Sequence, residues 1–241
     1  MDLASGFHQM RIDPSTAEYT AFTTPLGSFQ WTVLPMGLKQ SPGVFMKYMA
    51  HQFRDFSTRR QLALYIDDLL WHTIDHRTHL ALLRQVFLRM RECGLKAKLS
   101  KCVFMALSMP FLGHTVSKDG IKPSHDKVKS ITQWPVPTTP AQLHSFLGLC
   151  GYLRHYIPRY SDRVRPLQEC LTVALRTLSK SQPLGEYWTQ ECEASFKDLK
   201  AALSTEVVLP FFNPAASTAV WCDSSEYALG GVLLQRNRKN Q

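Results

Sequence analysis

The adjacent carboxylates Asp67 and Asp68, with Asp2 far upstream, are the residues of this sequence best suited to chemistry. The apolar run Leu62-Ala63-Leu64-Tyr65 reads as a buried strand and Leu69-Leu70-Trp71 as its return, so the two acids fall at the turn between them. Tight hairpins favour Asn-Gly or Asp-Gly at such a turn, and two neighbouring anions repel each other unless a cation sits between them. A divalent metal accounts for the choice. On its own, an Asp-Asp pair also fits a solvated turn, so the surrounding pattern decides.

Four stretches occur in order: Asp2-Leu3-Ala4-Ser5-Gly6-Phe7-His8-Gln9, then Leu34-Pro35-Met36-Gly37-Leu38-Lys39-Gln40-Ser41-Pro42, then Tyr65-Ile66-Asp67-Asp68, then Phe111-Leu112-Gly113-His114. Together they resemble the reverse transcriptases of long-terminal-repeat retrotransposons of the Ty3/gypsy group, over nearly the whole chain. The resemblance implies an α+β fold. Its parts would be a right-hand palm of antiparallel sheet with packed helices (1–119), a helical thumb (120–171), a connection (172–206) and an incomplete ribonuclease H-like hairpin (207–241). The fingers region that precedes the first aspartate in the family is expected to be largely missing, which would leave Asp2 loosely held.

By the same resemblance, Asp2, Asp67 and Asp68 would gather two Mg²⁺ ions, a role Mn²⁺ can also fill, for addition of deoxynucleotides to a primer 3′ end. Phe7 would lie beneath the incoming sugar, where its ring would collide with a 2′-hydroxyl. Met36, Gly37, Lys39, Gln40 and Tyr65 would surround the nucleotide, Met36 standing where many relatives carry an aromatic residue or Gln. A lysine would protonate the departing pyrophosphate: Lys101 is the candidate, with Lys96 and Lys98 as alternatives, and a basic loop touching phosphates is the other reading. Phe111, Leu112, Gly113 and His114 resemble the primer grip. Gly148 and Tyr152 match positions beside the minor groove of the duplex, with Arg154, His155, Arg159, Arg163 and Arg165 supplying charge for phosphates. Asp223 matches the first metal-binding carboxylate of ribonuclease H, and the chain stops before the other acids of such a site. The implied partners are an RNA or DNA template–primer duplex, deoxynucleoside triphosphates and other Pol polyprotein segments.

Bulk properties agree with a polyanionic partner: the net charge is +9, with Lys and Arg spread along the chain. No apolar run approaches the ~18 residues needed to cross a membrane, and no secretory signal is visible, so an intracellular protein, cytoplasmic or nuclear, is expected. The 6 cysteines contain no C-x-x-C pair, which argues against zinc and for reduced, buried thiols.

The elements that must position these residues follow from local signals. Leu26-Gly27-Ser28 should turn a hairpin between Thr20–Pro25 and Phe29–Leu34. Ser41 should cap a helix with Pro42 at its first position and a core stripe of Phe45, Met49 and Phe53, running to about Phe56. A helix opening at Asp75 should bury Leu80, Leu83, Phe87 and Met90 and close at Gly94. His72, His76 and His79 share a face of it, but no carboxylate or Cys completes a metal site. Ser108-Met109-Pro110 should be the turn between Val103-Phe104-Met105 and the strand starting at Phe111. Thr139-Pro140-Ala141-Gln142 reads as a capping box ahead of Leu143, Phe146, Leu147 and Cys150. Gly148 and Gly151 inside that helix cost about 1 kcal/mol each against Ala, which suggests close approach of another helix or of a duplex. Thr189 should cap a helix carrying Phe196, Leu199 and Leu203. The alternative to a polymerase is an inactive retroelement remnant that only binds nucleic acid or a partner.

Overall fold

Capping chemistry sets most helix ends in the computed structural model, which describes residues 1–59, 61–205, 207–224 and 229–235. The chain divides into two units, Met1–Ala106 and Leu107–Gln241.

In the first unit the strands β1 (Phe22–Thr24) and β2 (Gly27–Phe29) pair with Thr24 opposite Gly27. The hairpin loop is therefore Pro25-Leu26, one residue earlier than the expected turn. Helix α1 spans Ser41–Gln52 and a short helix α2 spans Arg54–Thr58. Ser41 lies inside the first turn rather than at the cap, which is Gln40, and its buried hydroxyl has no partner. The expected stripe is buried: Phe45, Met49 and Phe53 are at 0% exposure, with Phe56 beside them. This face packs on the hairpin of β3 (Leu62–Tyr65) and β4 (Asp68–Trp71), through Leu62, Leu69 and Trp71.

Helix α3 (His76–Glu92) starts at Asp75, whose carboxylate accepts from the Thr78 backbone N–H at 2.8 Å and from its hydroxyl at 2.7 Å. It ends as expected at Gly94, where Leu95 N–H bonds Met90 O and Gly94 N–H bonds Arg91 O. Its buried face is the expected one only at Met90 and, in part, at Leu83. Leu82, Val86 and Met90 face the core, whereas Leu80 is 57% and Phe87 39% exposed. The helix carries two apolar stripes, and only one can face β3–β4.

The second unit begins with an antiparallel meander of β5 (Ser108–Phe111), β6 (His114–Ser117) and β7 (Gly120–Pro123). Ser108-Met109-Pro110 is thus a strand, not a turn. Pro110 is tolerated because β5 lies at the sheet edge. The turn is Leu112-Gly113, both with positive φ, the backbone that suits a two-residue hairpin. Four helices follow: α4 (His125–Thr132), α5 (Pro140–Tyr152), α6 (Tyr160–Thr177) and α7 (Gln190–Ser204). Thr139 caps α5 and Thr189 caps α7, as expected. Gln142 reaches Thr138 N–H at 2.8 Å, one residue short of the reciprocal bond of a capping box. Leu143, Phe146, Cys150, Leu167, Phe196 and Leu199 form this unit's core. Finally β8 (Thr218–Ser224) and β9 (Leu229–Gln235) pair with Asp223 opposite Gly230.

Candidate active site

The geometry of the acidic site starts with backbone pairing. The segment around Asp2 lies between β4 and residues 96–98: Met1 and Leu69 exchange both main-chain bonds, at 2.8 and 3.0 Å, while Lys98 N–H donates to Asp2 O and Ala4 N–H to Lys96 O. Asp2 and Asp68 are antiparallel bridge partners. Residues paired in this way project their side chains from the same face of a sheet, so the pairing makes these two carboxylates neighbours. The expectation that Asp2 is loosely held is therefore overturned. Gln9, to which the sequence reading gave no role, ties the arrangement further by bonding Ala4 O, Lys96 O and Lys96 N–H. Its signal was its place in the first motif.

The two adjacent acids differ in position. Asp67 is in the two-residue loop, whereas Asp68 is the first residue of β4, opposite Tyr65. The other loop residue, Ile66, has φ +52°, a conformation that a β-branched side chain rarely adopts. Its N–H donates to the Met46 sulfur of α1, which helps hold the turn. Gly6 completes the floor: a Cβ there would stand 3.0 Å from the Phe45 ring and 3.4 Å from Asp67 Cβ. Phe7 follows it in a short 3₁₀ turn (Gly6–Gln9) and packs on Phe45 with ring centroids 4.9 Å apart.

Electrostatics distinguish Asp68. Burial raises its pKa above the usual carboxylate value, and the charges of Asp67 and Asp2 add to the rise, while the Met1 amino group and Lys101 oppose it. Lys101 Nζ lies 3.1 Å from Asp2 Oδ2. Of the three lysines in this segment, Lys101 is the one whose ammonium forms an ion pair with an acid of the site; Lys96 and Lys98 contribute backbone bonds. The donors suit a hard divalent cation, being carboxylate oxygens throughout, and a cation would relieve the strain on Asp68. In the side-chain positions described, no three His, Cys, Asp or Glu residues are gathered on one metal position among the described residues.

The other expected site residues are more open. Met36 is 61% exposed, Gly37 has φ +91°, and Lys39 and Gln40 are exposed just ahead of α1. Tyr65 is half exposed across from Asp68.

In the second unit, Phe111, Leu112, Gly113 and His114 form the β5–β6 turn, and Tyr152 of α5 meets it directly. The Tyr152 hydroxyl donates to Leu112 O and lies 3.0 Å from His114 Nε2, with the two rings stacked. Tyr156, whose one signal in the sequence is its place four residues after Tyr152, lies 2.9 Å from His114 Nδ1. Gly148 faces open space within this unit, so helix packing does not explain it. Among the basic residues after α5, Arg159, Arg163 and Arg165 pair with Asp162, Asp198 and Glu169. Arg154 is in no ion pair among the described residues. Asp223 sits on β8, and its side chain lies outside the described atoms.

The thiols are unreactive in the core: burial pushes Cys150 up to about 12, and Cys170, beside Cys192, to about 12. Cys222, by contrast, is exposed. Among the described residues no helix is long and apolar enough to cross a membrane.

Residues 1–116 match the family described as reverse transcriptase (RNA-dependent DNA polymerase), and residues 188–241 match the RNase H-like domain found in reverse transcriptase. The chain is 35% identical over 235 residues to the retrovirus-related Pol polyprotein from transposon 297 of Drosophila melanogaster, covering 98% of this chain and 21% of that one. It is 33% identical over 241 residues to the corresponding polyprotein from transposon 412, covering 100% of this chain and 19% of that one. The Tf2-3 polyprotein of Schizosaccharomyces pombe is 27% identical, with 98% and 17% covered. The chain thus spans about a fifth of the length of these curated relatives. A foamy viral protease-reverse transcriptase (dRH) solved with double-stranded DNA shares the fold at TM-score 0.83 and 24% identity, over 100% of this chain and 40% of that one. The same enzyme solved with an RNA/DNA hybrid gives TM-score 0.81, over 100% of this chain and 31% of that one. These likenesses establish the expected α+β fold.

Proposed function

We propose, from the premise that the chain belongs to the reverse transcriptase family of Ty3/gypsy-type retrotransposons, that it carries the nucleotidyl-transfer site of an RNA-directed DNA polymerase. The observation that carries the reading is the bridge between Asp2 and Asp68, which makes neighbours of carboxylates remote in sequence. Asp2, Asp67 and Asp68 would hold two Mg²⁺ ions. Such ions supply activation of a primer 3′-hydroxyl and neutralisation of the triphosphate and leaving pyrophosphate.

The chain's own residues supply the rest. Asp2, held by backbone bonds of its segment to Leu69 and to residues 96–98, and Asp68, the first residue of β4, would give the carboxylates a preorganised geometry, which is where such chemistry gains most of its rate. Phe7, backed by Phe45, would exclude a 2′-hydroxyl. Met36, Gly37, Lys39, Gln40 and Tyr65 would contact the nucleotide, their exposure leaving them accessible to it. Lys101 would leave Asp2 as cations arrive and hold a proton for the departing pyrophosphate. The β5–β6 turn would place the primer end, Gly148 and Tyr152 would lie along the minor groove, and Arg154 would meet a phosphate. On this reading 1–119 is palm, 120–171 thumb, 172–206 connection and 207–241 the start of ribonuclease H, with Asp223 its first carboxylate. Partners would be a template–primer duplex, deoxynucleoside triphosphates and other polyprotein segments.

Primer extension on poly(rA)/oligo(dT) with Mg²⁺, comparing the chain with Asp67→Asn, tests this. Incorporation that disappears with the substitution is expected. Salt-sensitive duplex binding without extension would favour a remnant that only binds.

A further inference from the structure

The contacts of His114 favour one arrangement of its protons. A tyrosine hydroxyl has one hydrogen, and that of Tyr152 is committed to Leu112 O, a group that only accepts. Tyr152 Oη must therefore accept from His114 Nε2–H, 3.0 Å away. Nδ1 is then the acceptor for Tyr156 O–H at 2.9 Å. The bonds run in one direction, from Tyr156 through the imidazole and Tyr152 to the turn carbonyl.

Close packing reinforces this chain. Gly113 has φ +69°, and a Cβ there would come within 2.9 Å of the Tyr152 hydroxyl, so the turn can approach α5 only as glycine. Gly113 O also accepts from Ser124 N–H at 3.1 Å, at the start of α4. The groups facing the imidazole favour its neutral form. Tyr156 is buried, so turning its hydroxyl away from a protonated Nδ1 would strand the hydrogen. His155 and, over the Tyr152 ring at 5.9 Å, Lys127 bring positive charge from the adjoining elements. Burial and His155 accordingly hold the His114 pKa below the ordinary histidine value.

We propose that His114 is a positioning residue: its neutral Nε2–H imidazole latches the β5–β6 turn to α5 through Tyr152 and Tyr156. The consequence for polymerisation rests on the reading of that turn as the part that places the primer end. Turn and helix would then carry the primer as one body.

The whole chain labelled with ¹⁵N-histidine tests the latch without relying on activity. His114 should show the Nε2–H tautomer alone at neutral pH and be less than half protonated at pH ~6.5, where an ordinary histidine is half protonated. Tyr152→Phe keeps the ring but frees the proton arrangement. It should yield mixed tautomers and raise amide exchange in residues 108–117 roughly five- to tenfold, the loss of one to two bonds, with α1 unchanged. Tyr156→Phe should raise exchange in the same segment. Mixed tautomers in the unsubstituted chain, or exchange unmoved by both substitutions, would overturn the latch. Primer extension by the unsubstituted chain reports separately on the polymerase reading. Where extension is detected, Tyr152→Phe should lower turnover about tenfold with the KM for deoxynucleotide unchanged, and unchanged turnover would overturn the positioning role.

Discussion

The acidic site of the first unit and the β5–β6 turn of the second are both held by hydrogen bonds, yet they leave opposite electrostatic states. At the turn every polar group of the His114 network has a partner, and burial and His155 hold the imidazole pKa below the ordinary histidine value. At the acidic site the backbone is tied by β4 and residues 96–98, but the charges are not matched: burial and two neighbouring carboxylates raise Asp68, and the Met1 amino group and Lys101 offset only part of the rise. A satisfied network is a scaffold. An anionic centre on a rigid backbone is prepared for something that arrives with positive charge.

The largest effect expected from breaking this contrast is on chemistry. Asp67→Asn or Asp68→Asn should reduce primer extension by at least about a thousandfold, a loss of about 4 kcal/mol in transition-state stabilisation. The same substitutions should leave hydrogen exchange in residues 108–117 unchanged. Gly113→Ala should act the other way round. A methyl group 2.9 Å from the Tyr152 hydroxyl, on a backbone with φ +69°, should cost about 1–3 kcal/mol of stability, read as a lower Tm. A smaller effect is expected for Lys101→Met. Removing the ammonium 3.1 Å from Asp2 should push Asp68 further up and slow extension about tenfold, most clearly in the pH–rate profile.

The smallest effect is on stability and has a defined sign. Because folding raises the Asp68 pKa above 3.8, the native chain binds more protons than the unfolded chain just above that pH. Its contribution to stability therefore falls as pH rises through this window and stays low above it. In metal-free buffer near neutral pH, Asp68→Asn should raise the Tm slightly, by an amount worth at most about 1 kcal/mol after solvent screening. A lower Tm would mean that Asp68 is a structural acid rather than a frustrated one.

The parts legible in the sequence are those set by chemistry within a few residues. Asp75, Thr139 and Thr189 announce helix starts, Gly94 announces an end, and the hairpin around Asp67 follows from two short apolar runs. The misread parts are those where local pattern allows two answers. Helix α3 carries Leu80, Leu83 and Phe87 on one stripe and Leu82, Val86 and Met90 on another, and periodicity cannot tell which meets the sheet. Pro110 looked like a turn residue because the edge position that tolerates it is a property of the sheet. Asp2 looked loose because the segments that hold its backbone come from β4 and residues 96–98, remote in sequence. The partnership of Tyr152 with His114 spans 38 residues and has no local signature.

Titration of the chain with Mn²⁺, followed by loss of the free-ion electron paramagnetic resonance signal, tests the central claim most directly. Saturable binding is expected in the unsubstituted chain, strongly weakened by Asp2→Asn and by Asp68→Asn separately. Equal binding in all three proteins would show that the bridged carboxylates do not hold the metal.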